Sequence, residues 1–323
     1  MLMAGLILMG SCKKDEGLNS RDLVVYVKGE YGSTNNSITA GLTLTPVSVW
    51  GNTQFQFYAY STREVAADVN VFLDPDTLSV QTFNLANNRK CKVLPAGSYT
   101  IDANQHLIKR DSTKSDPLTV KITNASALTD TNGYVLPLRV TKVTSADKGV
   151  SVSSSLSTAY LYVPYSYTNV DSVQTPLSDG VVASRMGWSV TVSNTTSGAL
   201  GPAMLDGNNS TAWRSSNSST AAKYVILNMG SSQTLRGMQL TPNYVTTGEN
   251  ATQIKVSTSA DSVSWAAQGI WKGTGPVTGS SAANPDLKGI NFITPVTAKY
   301  VRLDIQAWVS TSRVGIGELN AIQ

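Results

Sequence analysis

Hydrophobic and polar residues alternate with a period of two along much of the chain, and no stretch of useful length repeats at helical spacing. Leu23, Val25 and Val27 alternate with Val24, Tyr26 and Lys28, and Val65, Ala67, Val69, Val71 and Leu73 alternate with polar or smaller residues. Leu118, Val120 and Ile122 do the same. Alternation repeated this often predicts half-buried strands packed as a sandwich. Between the strands, D-P-D-T at 74–77, P-A-G-S at 95–98 and T-D-T-N-G at 129–133 supply turn chemistry. The span 21–165 is therefore expected to be an Ig-like β-sandwich.

A second series follows: W-S-V-T-V-S from Trp188, Y-V-I-L-N-M-G at 224–230, L-R-G-M-Q-L at 235–240 and I-K-V-S-T-S-A-D-S-V-S-W ending at Trp265. It continues with K-Y-V-R-L-D-I at 299–305 and G-I-G-E-L-N at 315–320. The span 186–323 is expected to be a second all-β domain. The intervening stretch 166–185 lacks sustained alternation and ends in a Pro/Gly-punctuated turn, the pattern of a linker. Tyr160, Tyr162, Tyr165 and Tyr167 suit either an aromatic platform for a sugar or half-buried rungs of a last strand.

The stretch P-A-M-L-D-G-N-N-S-T-A-W at 202–213 carries candidate chemistry. Asp206, Asn208 and Thr211 offer hard oxygen ligands in a turn that Gly207 sharpens, which suits Ca2+ better than a transition metal. Asp-Gly followed by Asn and Ser is equally a common turn sequence that needs no ion.

In their order and spacing, the segments of 186–323 resemble the discoidin, or coagulation factor V/VIII C-type, family, which includes the family 32 carbohydrate-binding modules. The resemblance implies an antiparallel β jelly roll with one structural cation, usually Ca2+, near one end. It assigns the cage to the side chains of Asp206, Thr211 and Glu318 and to the backbone carbonyls of Ala203, Asn208 and Gly317. Asn228 stands where the family often has Asp, and Ser262 replaces the Gly that often follows Asp261. The segments V-F-L-D-P-D-T-L (71–78), V-L-P-A-G-S-Y-T-I (93–101) and G-Y-V-L-P-L-R-V (133–140) resemble a domain of unknown function from the N-terminus of Bacteroidetes surface lipoproteins. That resemblance implies a spacer or docking sandwich and assigns no chemistry. Pro95 and Pro137 are as well explained by strand edges as by function.

The 323 residues suffice for two domains, each with its own core. Charged residues make up only 14%, and the net charge of +4 is spread along the chain without a Lys/Arg stripe, which excludes a nucleic-acid footprint.

Residues 1–11, M-L-M-A-G-L-I-L-M-G-S, form an apolar run too short to span a bilayer and read as a signal peptide. L-M-G-S-C resembles a bacterial lipobox, which implies acylation of Cys12. The missing charged n-region points to a start upstream of Met1. Lys13, Lys14, Asp15 and Glu16 resemble the export signal of Bacteroidetes surface lipoproteins, so 12–20 is expected to be a lipidated tether on the outer face of the outer membrane. Cys91, the other cysteine, is expected to be a buried small hydrophobe, because the one histidine, His106, shows no motif linking it to Cys91.

No catalytic constellation can be built. The C-terminal span has no histidine for a Ser-His-Asp set, few acids to pair for glycoside hydrolysis, no phosphate-cradling glycine loop and no zinc spacing. A non-enzymatic glycan-binding module is expected, acting in polysaccharide capture beside other surface glycan-utilisation proteins. The competing reading is a protein-interaction or scaffold subunit. Sugar recognition needs an aromatic face and planar hydrogen-bonding groups, and the loop candidates are Trp308, Arg313, Asn243, Tyr244, Trp271 and Arg214. Trp188, Trp213 and Trp265 are left to the core, and Arg302, inside a strand, is read as structural.

Overall fold

The computed structural model describes residues 22–29, 36–246, 248–310 and 312–323. The chain forms two compact units: Met1–Leu42 with Gly51–Tyr165, and Thr43–Trp50 with Ser166–Gln323. Cys12 and the export-signal residues lie outside the described residues.

The first unit is the expected β-sandwich. One sheet runs Val150–Val152, Leu23–Lys28, Gln54–Ser61, Leu118–Ile122, Tyr99–Ile101; the other runs Ser37–Thr39, Thr158–Val163, Tyr134–Ser145, Val69–Pro75, Gln105–Ile108. Alternation places Phe55, Phe57 and Ala59 of one sheet and Val69, Val71 and Leu73 of the other in the interior. Cys91 is buried, its Sγ 3.5 Å from the Asn132 carbonyl, and burial pushes its thiol pKa up. His106 is buried elsewhere, with Nε2 2.9 Å from the Ala103 carbonyl.

Two features depart from the sequence reading. A helix, Ser79–Asn87, follows Val69–Pro75. Asp76 accepts from the Leu78 N–H (3.2 Å) and the Ser79 hydroxyl (2.7 Å) at its start, and Asn88, at φ 49°, closes its end. The helix buries only Val80 and Phe83, too few anchors for helical periodicity to show. Pro137 is not on an edge strand: Tyr134–Ser145 is flanked on both sides. Pairing with Val69–Pro75 reaches only Leu138, opposite Pro75, so Pro137 lies just past the end of that ladder.

In the second unit the sheet order is Trp213–Arg214, Gly315–Ile322, Tyr224–Pro242, Lys288–Trp308, Ala251–Ser259, Ala266–Lys272, with Ser189–Val192 against Tyr224–Pro242. Segments that look separate in sequence, 224–230 and 235–240, belong to one long strand whose register breaks at Asn228/Gln233 and Leu235/Gly237. Gly237 is required there, because a Cβ would lie 2.6 Å from the Ile290 carbonyl oxygen. The strands of this unit enclose a core of Met204, Trp213, Leu227, Val256, Trp271 and Leu303, among others. Trp188 packs partly buried against this core, whereas Trp265 is half-buried and not part of it.

The stretch 166–185, expected as a linker, is part of this unit. Val170 and Ala183 are core residues, and single bridges tie Val170 to Phe292 and Val182 to Ile322. The hairpin Thr43–Leu44/Val49–Trp50 also belongs to it and joins the stretch through a bridge between Leu44 and Tyr167. Ser262 adopts φ 63°, a conformation glycine takes without strain, and the Asp261 carboxylate holds it by accepting from the Val263 and Ser264 N–H groups at 2.8 Å each. Asn228 accepts from the Gly230 N–H at 3.0 Å, a bond that an amide or a carboxylate oxygen can make.

Candidate functional site

The 202–213 loop starts with a 3-10 turn, Gly201–Met204, and reverses at Gly207, whose φ is 78°. Asp206 Oδ1 accepts from the Asn208 N–H at 2.8 Å, fixing the carboxylate. The Thr211 hydroxyl then lies 2.8 Å from Asp206 Oδ2, 2.8 Å from the Asn208 carbonyl and 3.5 Å from the Ala203 carbonyl. The Thr211 N–H also donates to the Asn208 carbonyl at 3.0 Å, so with the hydroxyl on Asp206 Oδ2 only the Ala203 carbonyl has no close donor among the described residues.

Glu318, on the strand Gly315–Ile322, closes the loop from inside. It is buried; its Oε1 accepts from the Gly207 N–H (3.0 Å) and the Asn208 N–H (3.1 Å), and its Oε2 is 2.5 Å from Arg185 Nη1. Arg185 also donates to Asn320 Oδ1 from Nε (2.9 Å) and Nη2 (2.5 Å). Burial, with Asp206 alongside, raises the Glu318 pKa against the pull of Arg185. For Asp206 burial also raises it, but the bonds from Thr211 and Asn208 outweigh that and lower it. Gly317 precedes Glu318 where a Cβ would lie 2.6 Å from the Pro242 carbonyl oxygen. Among the described residues no three His, Cys, Asp or Glu side chains converge; the set here is two carboxylates, a hydroxyl and carbonyls.

A second constellation sits where the loops 193–200, 214–222, 243–250 and 309–314 meet. The ladder Arg214 N to Ala199 O (3.2 Å), Ser215 N to Val314 O (2.9 Å) and Val309 N to Asn250 O (2.9 Å) ties them together. Arg214 forms a two-point ion pair with Glu249, Nε to Oε2 at 2.7 Å and Nη2 to Oε1 at 2.9 Å, which raises the arginine pKa. Its Nη1 takes no bond among the described residues. Arg214 faces a depression of 260 Å³ lined also by Ser197, Gly198, Thr211 and Val245.

The other sequence candidates divide. Trp271 is 2% exposed, with Nε1 donating to the Gly289 carbonyl at 2.9 Å; it is a core residue and not a loop platform. Asn243 is fully buried and caps its own turn, accepting from the Val245 N–H at 2.9 Å, so it supports the loop from beneath and meets no solvent. The Tyr244 hydroxyl accepts from the Asp286 N–H at 2.7 Å. Trp308 is half-buried against the core, with the Lys223 ammonium 5.1 Å from its ring centroid, so it is no open stacking face. Arg313 is half-buried, and its Nε has no partner among the described residues. Arg302 is a strand residue paired with Asp304 and lying 4.6 Å over the Tyr224 ring. Sequence reasoning missed Glu249 and Arg185. Both are single charges in otherwise polar turns, and only the folded topology gives them partners 35 and 133 residues away.

Residues 189–318 match the family model of the F5/8 type C domain, and residues 18–147 match the model of an N-terminal domain family. Neither is the model of a catalytic family. No curated protein matches the chain. A two-domain protein of unknown function from Bacteroides fragilis is similar over 94% of this chain and 95% of its own, at 18% identity and a TM-score of 0.55. Over shorter spans the chain is similar to the F5/8 type C domain of another Bacteroides fragilis protein (18% identity, 46% of this chain and 98% of that one, TM-score 0.39). It is likewise similar to the family 32 carbohydrate-binding module of Clostridium perfringens NanJ, solved with galactose (16% identity, 45% and 99%, TM-score 0.38). The C-terminal unit, with its jelly-roll sheet order and the loop and strand residues described above, is thus the part of the chain that matches the F5/8 type C domain model, at residues 189–318.

Proposed function

We propose that this protein is a non-catalytic glycan-binding protein of the cell surface and that the loop end of its F5/8 type C domain is the sugar site. Arg214 carries this reading. Glu249 holds its guanidinium rigid in the lining of the 260 Å³ depression and leaves Nη1 without a bond among the described residues, available to an incoming hydroxyl. A planar, pre-oriented donor recognises vicinal hydroxyls with little side-chain entropy lost at binding. Binding is weak, in the range of about 0.2 mM to millimolar for one sugar.

The Ca2+ site belongs to the same proposal. The oxygens of Asp206, Asn208, Thr211 and Ala203, with Glu318 and Gly317 behind them, fit a hard cation, because carboxylates, a hydroxyl and backbone carbonyls gathered at one turn are the oxygen donor set Ca2+ takes. Bound there, Ca2+ would be a structural pin between the loop and the strand Gly315–Ile322. The chain would be held at the outer membrane by acylated Cys12, next to other glycan-utilisation proteins; L-M-G-S-C and the following K-K-D-E support this.

A scaffold reading draws on Val245 and Val309, 51% and 54% exposed on the same loops, which suit a protein partner. The deciding experiment is a glycan array with wild type and the double variant Arg214→Met/Glu249→Leu. Replacing both partners avoids leaving a buried charge unpaired. Loss of signal from at least one glycan that wild type binds, with an unchanged melt, supports the sugar site; no glycan bound by wild type gives the protein to the scaffold reading.

A further inference from the structure

We propose a second carbohydrate-binding groove on the flank of the C-terminal unit, between the hairpin 43–50, the stretch 166–174 and the strand Ala266–Lys272, shaped for a neutral oligosaccharide. It encloses 510 Å³, within the range of about 300–1,000 Å³ usual for ligand pockets. None of its lining residues belongs to the loop end that carries Arg214.

Trp50 is the first reason. The core indoles of this unit, Trp213 and Trp271, are 0% and 2% exposed, whereas Trp50 is 41% exposed and lines the groove with Tyr167. Its position is fixed. Thr45 and Ser48 lock the hairpin turn, with Thr45 N to Ser48 O and Ser48 N to Thr45 Oγ1 both at 2.9 Å. Leu44 N to Ser166 O (2.8 Å) and Thr168 N to Leu44 O (2.9 Å) dock the hairpin on the following stretch. An indole held out of the core on a rigid support offers the apolar face of a pyranose a surface with little ordering cost.

The rim gives the second reason. Asp171 Oδ1 accepts from the Val173 N–H at 3.0 Å, which orients the carboxylate and leaves Oδ2 without a bond among the described residues. Gln174 donates to the Lys272 carbonyl, so its Oε1 remains an acceptor, and Lys272 forms no ion pair among the described residues. One carboxylate, one ammonium and one amide oxygen over a floor of Val170 and Ile270 form a mixed, nearly charge-balanced set, suited to hydroxyls more than to an anionic polymer. Ala266–Lys272 is an edge strand, but Asn169 N–H donates to the Gln268 carbonyl at 2.5 Å and Gln174 to that of Lys272. Those carbonyls are taken, so a peptide added as a further strand is disfavoured.

The test is affinity electrophoresis of the full chain through gels containing soluble galactan, mannan, xylan or starch, with thermal melts as the folding control. Arg214→Met/Glu249→Leu should still be retarded by at least one polysaccharide, and adding Trp50→Ala should restore free mobility. Asp171→Asn, which keeps the shape and removes the charge, should weaken that retardation by about fivefold. If Trp50→Ala abolishes retardation while Arg214→Met/Glu249→Leu does not, the groove stands and the loop-end reading fails. The groove proposal is overturned if the Arg214/Glu249 variant is not retarded at all, if Trp50→Ala and Asp171→Asn leave retardation unchanged, or if no polysaccharide retards the wild type.

Discussion

Arg214 and Glu249 meet through two parallel contacts of 2.7 and 2.9 Å, with the carboxylate almost wholly buried and the guanidinium open on one edge. Breaking only one side of such a pair strands the other charge, a cost of about 3–5 kcal/mol when both are buried and less where the arginine reaches solvent. Arg214→Ala should therefore lower the C-terminal melting temperature clearly, and Arg214→Met/Glu249→Leu much less. A melt of the two variants side by side checks this. Equal losses would mean that packing, and not charge pairing, sets the loop.

Trp213 and Trp271 are fully enclosed, and each indole N–H is satisfied, by the Asn194 carbonyl at 3.0 Å and the Gly289 carbonyl at 2.9 Å. Truncation of either to alanine should cost about 3–5 kcal/mol, through lost burial, the cavity left behind and an unpaired carbonyl. Trp308→Ala should also destabilise, by less, because the ring is half-buried on the core and covers Lys223. Urea unfolding midpoints of the three variants give the ranking.

The strands were legible because period two is a local signal: Leu118–Ile122 and Val69–Pro75 bury every second residue, as their sequences read. The turn at 206–211 was legible too, since its hydrogen bonds are closed within six residues. Other features depend on partners distant in sequence. Trp271 reads as a loop aromatic until the strand Ala266–Lys272 pairs with Ala251–Ser259 and turns its ring inward. The stretch 166–185 reads as a linker because its anchors, Val170 and Ala183, find their backbone partners, Phe292 and Ala321, more than a hundred residues downstream. The helix Ser79–Asn87 is hidden because it exposes Leu85 and buries only two side chains.

In the N-terminal unit, Asp130 accepts from the Asn132 N–H at 2.9 Å and from its Nδ2 at 3.0 Å, and pairs with Lys92 at 2.6 Å. Lys92 first, then Asn132, holds the carboxyl down at about 2. A carboxyl whose folded value is lowered stabilises fully above its ordinary value of 3.8 and loses that contribution as the pH falls through the folded value. Between pH 4.5 and 2 the unfolding midpoint of wild type should fall more steeply than that of Asp130→Asn. Parallel curves would show that the turn gains nothing from the charge.

Chelation tests the cation loop most directly. A ligand bound only by the folded state stabilises by mass action, about 2.7 kcal/mol at a hundredfold excess over its dissociation constant. EDTA treatment should lower the melting temperature of the C-terminal unit, Ca2+ should restore it, and elemental analysis should find one equivalent of calcium per chain. Asp206→Ala removes the carboxylate that Thr211 and Asn208 orient, so it should lose both the metal and the EDTA response. Arg185→Gln gives the control: it frees Glu318 Oε2 from its 2.5 Å ion pair without touching the loop, and should leave calcium bound. If EDTA shifts neither wild type nor Arg185→Gln and no calcium is found, the hydrogen bonds of Thr211 and Glu318 alone hold the turn, and the Ca2+ assignment falls.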